Sequence, residues 1–309
     1  MKVLFSGVDF SSRSGPNSFA RRLEFGLRDL GVEVVQTGDF DVELAFIQSN
    51  LRHDKPIVQR LDGVWFSPKD VIADRNKEIR STFHRASSVI WQSEFDRIMT
   101  EKWFGQKPGR VIHNGIELNR VKKFPDTVMK IRQTYKQIFV CSANWHPQKR
   151  LQANINMWTH LSNLFLTPSC LIIMGANPDV RIANPHVFYT GSISHEECLA
   201  VYAGSDWMIH LAWLDHCPNV VLEALSQETP IICTDSGGTS EIVKDNGLII
   251  PEPTKYDFSV ADYDLPPELS ISYLASQVKS LPNVKIDASH IDIRAIAADY
   301  RSVLMSCVK

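Results

Sequence analysis

Asp215 and Glu223 stand eight positions apart in the run Asp215-His216-Cys217-Pro218-Asn219-Val220-Val221-Leu222-Glu223-Ala224-Leu225. Pro218 suits the first turn of a helix, where its missing N–H costs nothing. The N–H groups of Asn219 and Val220 would then face the preceding loop with the positive end of the helix dipole, which is a site for a diphosphate. Glu223 falls in the second turn. Helical side chains lean toward the N-terminus, so its carboxylate reaches a group bound at the helix start. An ionised carboxylate only accepts hydrogen bonds and can bridge the two adjacent hydroxyls of a ribose. Asp215, on the loop before the helix, is placed to accept from the hydroxyls of a sugar, with His216 beside it as a further contact. Alone, such a spacing reads more readily as a solvated acidic loop ahead of a buried helix.

The surrounding elements are those that place ligands at strand ends. Short apolar runs predict strands at 3–6, 33–37, 43–47, 57–61, 88–92 and 110–112, with helices at 17–30, 68–85 and 94–104 between them. A charged stretch, 120–125, and a helix at 128–135 read as a linker. The pattern then restarts, with strands at 138–142, 170–174, 187–190, 207–211, 231–234 and 248–250 and helices at 149–164, 195–203, 218–227 and 239–243. The Pro- and Asp-rich stretch 251–267 is expected to wander over the surface before two closing helices at 268–280 and 292–307. Two doubly wound α/β units in series follow, with ligands at the carboxyl ends of the strands. Gln59-Arg60-Leu61-Asp62-Gly63-Val64-Trp65 ends a strand and puts Arg60 and Asp62 at an edge suited to an acceptor or a sugar.

With 309 residues the chain exceeds the usual size of one core, in keeping with two domains. A hydrophobic fraction of 44% and a net charge of -2 describe an ordinary globular protein with no basic field for nucleic acid. The six cysteines form no C-x-x-C pair and meet no histidine at zinc-ligand spacing, so a reduced, cytoplasmic setting is expected. Neither an export signal nor a run of 18 apolar residues occurs, which leaves at most peripheral membrane contact. No D-x-D carboxylate pair flanks the site, and no metal is expected.

The run from Asp215 continues Ser226-Gln227-Glu228-Thr229-Pro230-Ile231-Ile232-Cys233-Thr234-Asp235-Ser236-Gly237-Gly238-Thr239-Ser240-Glu241-Ile242-Val243. In order and spacing it resembles the family 4 retaining glycosyltransferases, whose signature is E-x7-E, an apolar strand and a Gly-Gly turn leading to E-I-V. The resemblance implies a GT-B fold, two Rossmann-like domains facing across a cleft. It gives an acceptor-side domain at 1–125, a nucleotide-sugar domain at 126–290, and a helix at 291–309 that packs back on the first. It implies that Glu223 binds the nucleotide ribose and that the first acidic residue, Asp215 here in place of Glu, contacts the donor sugar.

A second match, Val140-Cys141-Ser142-Ala143-Asn144-Trp145-His146-Pro147-Gln148-Lys149-Arg150-Leu151, resembles the family's Lys-bearing helix start. By it Lys149 holds the donor diphosphate, as a point charge facing a leaving group that gains negative charge. Asn144 stands where the family has an arginine, and Arg150 or His146 is the substitute cation. Phe188-Tyr189-Thr190-Gly191-Ser192-Ile193-Ser194 resembles the loop that meets the nucleobase, with Ile193 as the contact; Ser194 and Glu197 are also a capping box. Gly15, in Ser14-Gly15-Pro16-Asn17, sits where the family has a Gly-rich loop.

The function so implied is a metal-independent retaining transferase that moves a sugar from a nucleoside-diphosphate sugar, UDP or GDP, to a hydroxyl acceptor such as a glycan or lipid-linked saccharide. The departing phosphate takes part in deprotonating the acceptor, and no protein nucleophile is needed. The rival readings are a sugar-nucleotide epimerase of the same fold and a non-catalytic sugar-nucleotide or glycan-binding module.

Overall fold

The computed structural model describes residues 1–12, 14–122, 126–165 and 167–308. The chain divides into two compact units. The first comprises Met1–Glu117, Asp257–Asp262 and Ser289–Lys309, and the second Leu118–Tyr256 and Tyr263–Ala288.

In chain order the elements of the first unit begin with β1 (Lys2–Ser6), α1 (Gly15–Asp29), β2 (Glu33–Val35), β3 (Val42–Phe46) and β4 (Ile57–Leu61). They continue with α2 (Pro68–Ile72), α3 (Lys77–Arg85), β5 (Ser88–Trp91), α4 (Glu94–Phe104) and β6 (Gly109–Val111). The second unit begins with α5 (Asp126–Thr134), β7 (Gln137–Ser142), α6 (Leu151–Leu164), β8 (Ser169–Met174), β9 (Val187–Gly191) and α7 (His195–Ala203). It ends with β10 (Trp207–His210), α8 (Asn219–Ser226), β11 (Ile231–Thr234), α9 (Thr239–Val243), β12 (Gly247–Ile250) and α10 (Ile271–Gln277). The last helix, α11 (Ile293–Cys307), belongs to the first unit.

Each unit holds one six-stranded sheet, ordered β2-β1-β3-β4-β5-β6 in the first and β12-β11-β10-β7-β8-β9 in the second. The strand pairs in both sheets are parallel, which fits strands such as β3 and β4 that are buried along their whole length. In the first unit α1 buries Phe19, Ala20, Leu23 and Leu27, one helical face at the expected spacing. They share a core with Ile293, Ile296, Ala297 and Tyr300 of α11. Gly115 allows this packing: a Cβ there would lie 2.9 Å from the Ile293 backbone. Each of the larger of these side chains, Phe19, Leu23, Leu27, Ile293 and Ile296, stabilises by about 1.5–3 kcal/mol on burial.

Four local expectations need correction. The helix expected over 68–85 is two, α2 and α3. Asp74 between them takes a left-handed φ of 44°, and Asn76 turns its amide onto Trp65, accepting from its N–H at 2.9 Å and donating to its carbonyl at 2.6 Å. The helix expected from 149 is a 3-10 turn at Pro147–Lys149, a left-handed Arg150 and then α6. Pro218 is the cap of α8 rather than its first residue, because its ψ of 116° is extended. The stretch 251–267 is not simply a surface excursion. Glu252 is buried, and within the first unit Phe258 packs against Phe95 at 5.4 Å while Trp103 Nε1 donates to its carbonyl at 3.0 Å.

Of the expected linker, residues 123–125 lie outside the described residues. Arg120 pairs with Glu228, and the Val121 N–H donates to Gln227 Oε1 at 2.8 Å, so these residues are tied to the second unit.

Candidate active site

The loop between β10 and α8 carries Asp215, and its path is fixed from three sides. Residues 211–214 are buried, so each backbone polar group needs a partner. Asn154 Oδ1 accepts from the Leu211 N–H at 3.1 Å, the Gln148 carbonyl from Trp213 at 2.8 Å, and Ser236 Oγ from Leu214 at 3.0 Å. The Gly238 N–H then donates to the Asp215 carbonyl at 2.8 Å. Leu214 is held left-handed, with φ 51°, at a cost of about 1 kcal/mol that these bonds must outweigh.

The Gly-Gly turn expected from the sequence is what closes this arrangement. Gly237 has φ 72°, and a Cβ on it would stand 2.4 Å from the Asp215 carbonyl oxygen. Gly237→Ala is therefore expected to destabilise the protein by about 1–2 kcal/mol and to loosen the Asp215 loop. Thermal unfolding checks this, and an unchanged melting temperature would refute the close approach.

The Asp215 carboxylate meets a lysine and a histidine. Lys149 Nζ donates to Oδ2 at 2.5 Å, and His210 Nε2 lies 3.3 Å from the same oxygen, an ion-pair distance without good hydrogen-bond alignment. The Asp215 and Lys149 side chains are 13% and 20% exposed. Burial pushes the Asp215 carboxyl up, but Lys149 and His210 outweigh it and hold the group well below the usual carboxylate range. The two residues expected to contact sugar and phosphate separately thus stand together as one ion pair.

His210 went unseen in the sequence, where it ends the apolar run Trp207–His210 and reads as core. The available signal was its position at the carboxyl end of a buried parallel strand. His216 follows Asp215 on the loop, and His210 lies 3.3 Å from the Asp215 carboxylate.

Glu223 lies in the second turn of α8, and its carboxylate comes within 3.6 Å of His195 Nδ1 at the start of α7. That start carries the expected reciprocal cap, with Ser194 Oγ accepting from the Glu197 N–H and Glu197 Oε2 from the Ser194 N–H. The structure therefore brings Glu223 to the end of the loop that holds Ile193. Asn219 and Val220 form the first turn of α8, as the diphosphate reading requires.

Of the expected substitutes for the family's arginine, Arg150 is paired with Glu252 and burial disfavours the charged form of His146. Asn144 is exposed, and its Oδ1 accepts from Asn177 at 3.4 Å. Arg150, expected beside the phosphate, is instead buried and joined through both terminal nitrogens to Glu252, each at 2.9 Å. Burial, then Lys149, pushes the pKa of His146 down from its usual value. The cation that this loop presents beside Asp215 is Lys149.

In the first unit Gly15 is the first residue of α1. Arg60 is 1% exposed; Nη2 donates to Gln92 Oε1 at 3.0 Å and Asn114 Oδ1 at 2.8 Å, and Nη1 to Asp62 at 3.3 Å. Its guanidinium also lies over the rings of Phe19 and Phe46. Arg60 is thus a buried joint between strands rather than an acceptor contact, while Asp62 remains partly open to solvent. Among the described residues no group of three metal-ligating side chains is found, and no helix is long and apolar enough to cross a membrane.

Residues 135–261 match the family model described as glycosyl transferases group 1. A search of curated proteins returns no match. Similar solved structures include HepE from Anabaena in complex with UDP and glucose, at 17% identity and a TM-score of 0.66, covering 99% of this chain and 100% of that one. AviGT4, a glycosyltransferase involved in avilamycin A biosynthesis, has 14% identity and a TM-score of 0.65 and covers 100% of this chain and 98% of that one. WaaG, a glycosyltransferase involved in lipopolysaccharide biosynthesis, has 13% identity and a TM-score of 0.59 over 99% of this chain and 95% of that one. At such identities these structures speak for the fold, and the family match for the chemistry. Residues 135–261 thus match the group 1 glycosyl transferases within a chain of GT-B fold, and the chain is a glycosyltransferase.

Proposed function

We propose that the protein transfers a sugar, with retention at the anomeric carbon and without a metal, from a nucleoside-diphosphate sugar to a hydroxyl acceptor such as a glycan or lipid-linked saccharide. A UDP sugar is the first choice of donor, because the HepE structures hold UDP and UDP-glucose. The observation that carries the reading is the placement of Glu223 beside the start of α7, one helical turn from the N–H groups of Asn219 and Val220.

On this reading Glu223 bridges the ribose hydroxyls, Ile193 lies against the base, and the start of α8 receives the diphosphate with Lys149. Asp215 orients the sugar and holds Lys149 when the donor is absent. Lys149 and the helix start supply the positive charge that a departing diphosphate requires.

The test is a thermal-shift panel of UDP, GDP and ADP sugars on the wild type and on Glu223→Ala. A UDP or GDP sugar is expected to raise the wild-type melting temperature. Loss of the ribose bridge is expected to weaken donor binding by about tenfold to a hundredfold, and 2′-deoxy-UDP should lose much less than UDP in the variant. Equal responses of wild type and variant would end the assignment of Glu223. An epimerised sugar nucleotide formed from donor alone would replace transfer with epimerisation.

A further inference from the structure

The 3-10 turn that carries Lys149 ends in an arrangement that helix formation does not require. Arg150 follows Lys149 with φ 50° and ψ 52°, a left-handed backbone that a long side chain adopts at a cost and a glycine adopts freely. Its guanidinium grips the Glu252 carboxylate through two bonds of 2.9 Å, and the two side chains are 4% and 3% exposed. Removing both charges from water is costly, and apolar residues of similar size often serve stability as well.

The pair is anchored at its far end. The Glu252 N–H donates to Asp235 Oδ1 at 2.5 Å, and Lys255 Nζ to Asp235 Oδ2 at 2.8 Å, just beyond β12. It is also joined to the turn itself. Asn154 Nδ2, buried in the first turn of α6, donates to the carbonyls of Lys149 at 3.1 Å and Arg150 at 2.8 Å, while the Lys149 N–H donates to His146 at 2.8 Å. The Lys149 backbone is held on both sides, and its ammonium ends 2.5 Å from Asp215.

We propose that Glu252 is a positioning residue for Lys149: its bidentate grip on Arg150 fixes the left-handed turn and so sets where the Lys149 ammonium meets the donor diphosphate. The proposal rests on the reading above that Lys149 receives that diphosphate. Glu252 is 3% exposed and acts through Arg150, one residue from the working cation.

The experiment measures dissociation constants by calorimetry for UDP against UMP and for GDP against GMP. The proteins are the wild type, Glu252→Ala and the double variant R150G/E252L. Glycine accepts φ 50° without strain and leucine keeps the volume of Glu252 without its charge, so the double variant leaves no buried charge unpaired, whereas Glu252→Ala strands a buried guanidinium.

In the wild type the diphosphate binds more tightly than the monophosphate of the same base. In the double variant, diphosphate binding is expected to weaken by about tenfold and monophosphate binding by less than about twofold, with the melting temperature held near that of the wild type. A ratio of the two constants that stays at its wild-type value in the double variant overturns the positioning role, whatever happens to stability. A wild type that binds none of the four nucleotides overturns the donor reading itself, and the positioning role with it.

Discussion

Replacing Lys149 by alanine is expected to lower the rate of sugar transfer by about 10²–10³-fold. The glycosidic bond breaks toward the diphosphate, so negative charge on the leaving oxygens is greater in the transition state than in the bound donor. A cation fixed at that place therefore acts more on kcat than on KM. On the proposed donor placement Lys149 is that cation, and its ammonium lies 2.5 Å from Asp215, largely withdrawn from solvent. The loop offers no second cation to share the task, since Arg150 is committed to Glu252 and Asn144 carries no charge. Steady-state kinetics with the UDP sugar check the prediction. A raised KM with unchanged kcat would mean that Lys149 binds ground and transition states alike, and turnover within about threefold of wild type would remove it from the mechanism.

Much of the fold was legible because parallel strands buried on both faces are written as short apolar runs between turn residues. Residues 57–61 and 231–234 become β4 and β11 without change. Local reading failed where a single residue leaves the regular path. Asp74 and Arg150 both take left-handed backbones inside stretches of otherwise helical pattern, and neither is a glycine that would have marked the break. The site was legible as far as its chemistry is local. Glu223 and the N–H groups of Asn219 and Val220 lie on one short helix, so their relation follows from helical geometry alone. Partners supplied from a distance leave no such trace. Lys149 and Asp215 are 66 positions apart and Arg150 and Glu252 are 102, and charge pairing over such separations has no period to detect. For the same reason Arg60 was misplaced. Nothing near it in sequence announces that Gln92 and Asn114 will surround its guanidinium.

Asp215→Ala is expected to lower kcat/KM by about 10²-fold or more, through loss of the sugar contact and release of Lys149 from its place. Because Lys149 and Asp215 act as one unit, the double variant K149A/D215A should lose little beyond the larger of the two single losses; multiplicative losses would show that the two act independently. The pair also makes a prediction in pH. In the wild type Asp215 is held well below the usual carboxylate range, against burial, by Lys149 and His210. A depressed folded-state pKa contributes stability that is present above the unfolded value of about 3.9 and is lost as pH falls through the folded one. Lys149→Ala removes the largest of the attractions that oppose burial, so the folded pKa of Asp215 moves up. The variant is then less stable than the wild type by about 1–2 kcal/mol at neutral pH, a figure reduced for partial exposure. That deficit should shrink as pH falls and the carboxylate protonates. Melting temperatures of wild type, Lys149→Ala and K149A/D215A between about pH 7 and about pH 3 provide the measurement. The gap between wild type and Lys149→Ala should begin to narrow as pH falls through the variant's raised Asp215 pKa, whereas the gap between Lys149→Ala and the double variant should appear only toward neutral pH, where the double variant has no buried carboxylate left to strand. Parallel curves for wild type and Lys149→Ala across the whole range would mean that Asp215 is not held ionised by Lys149.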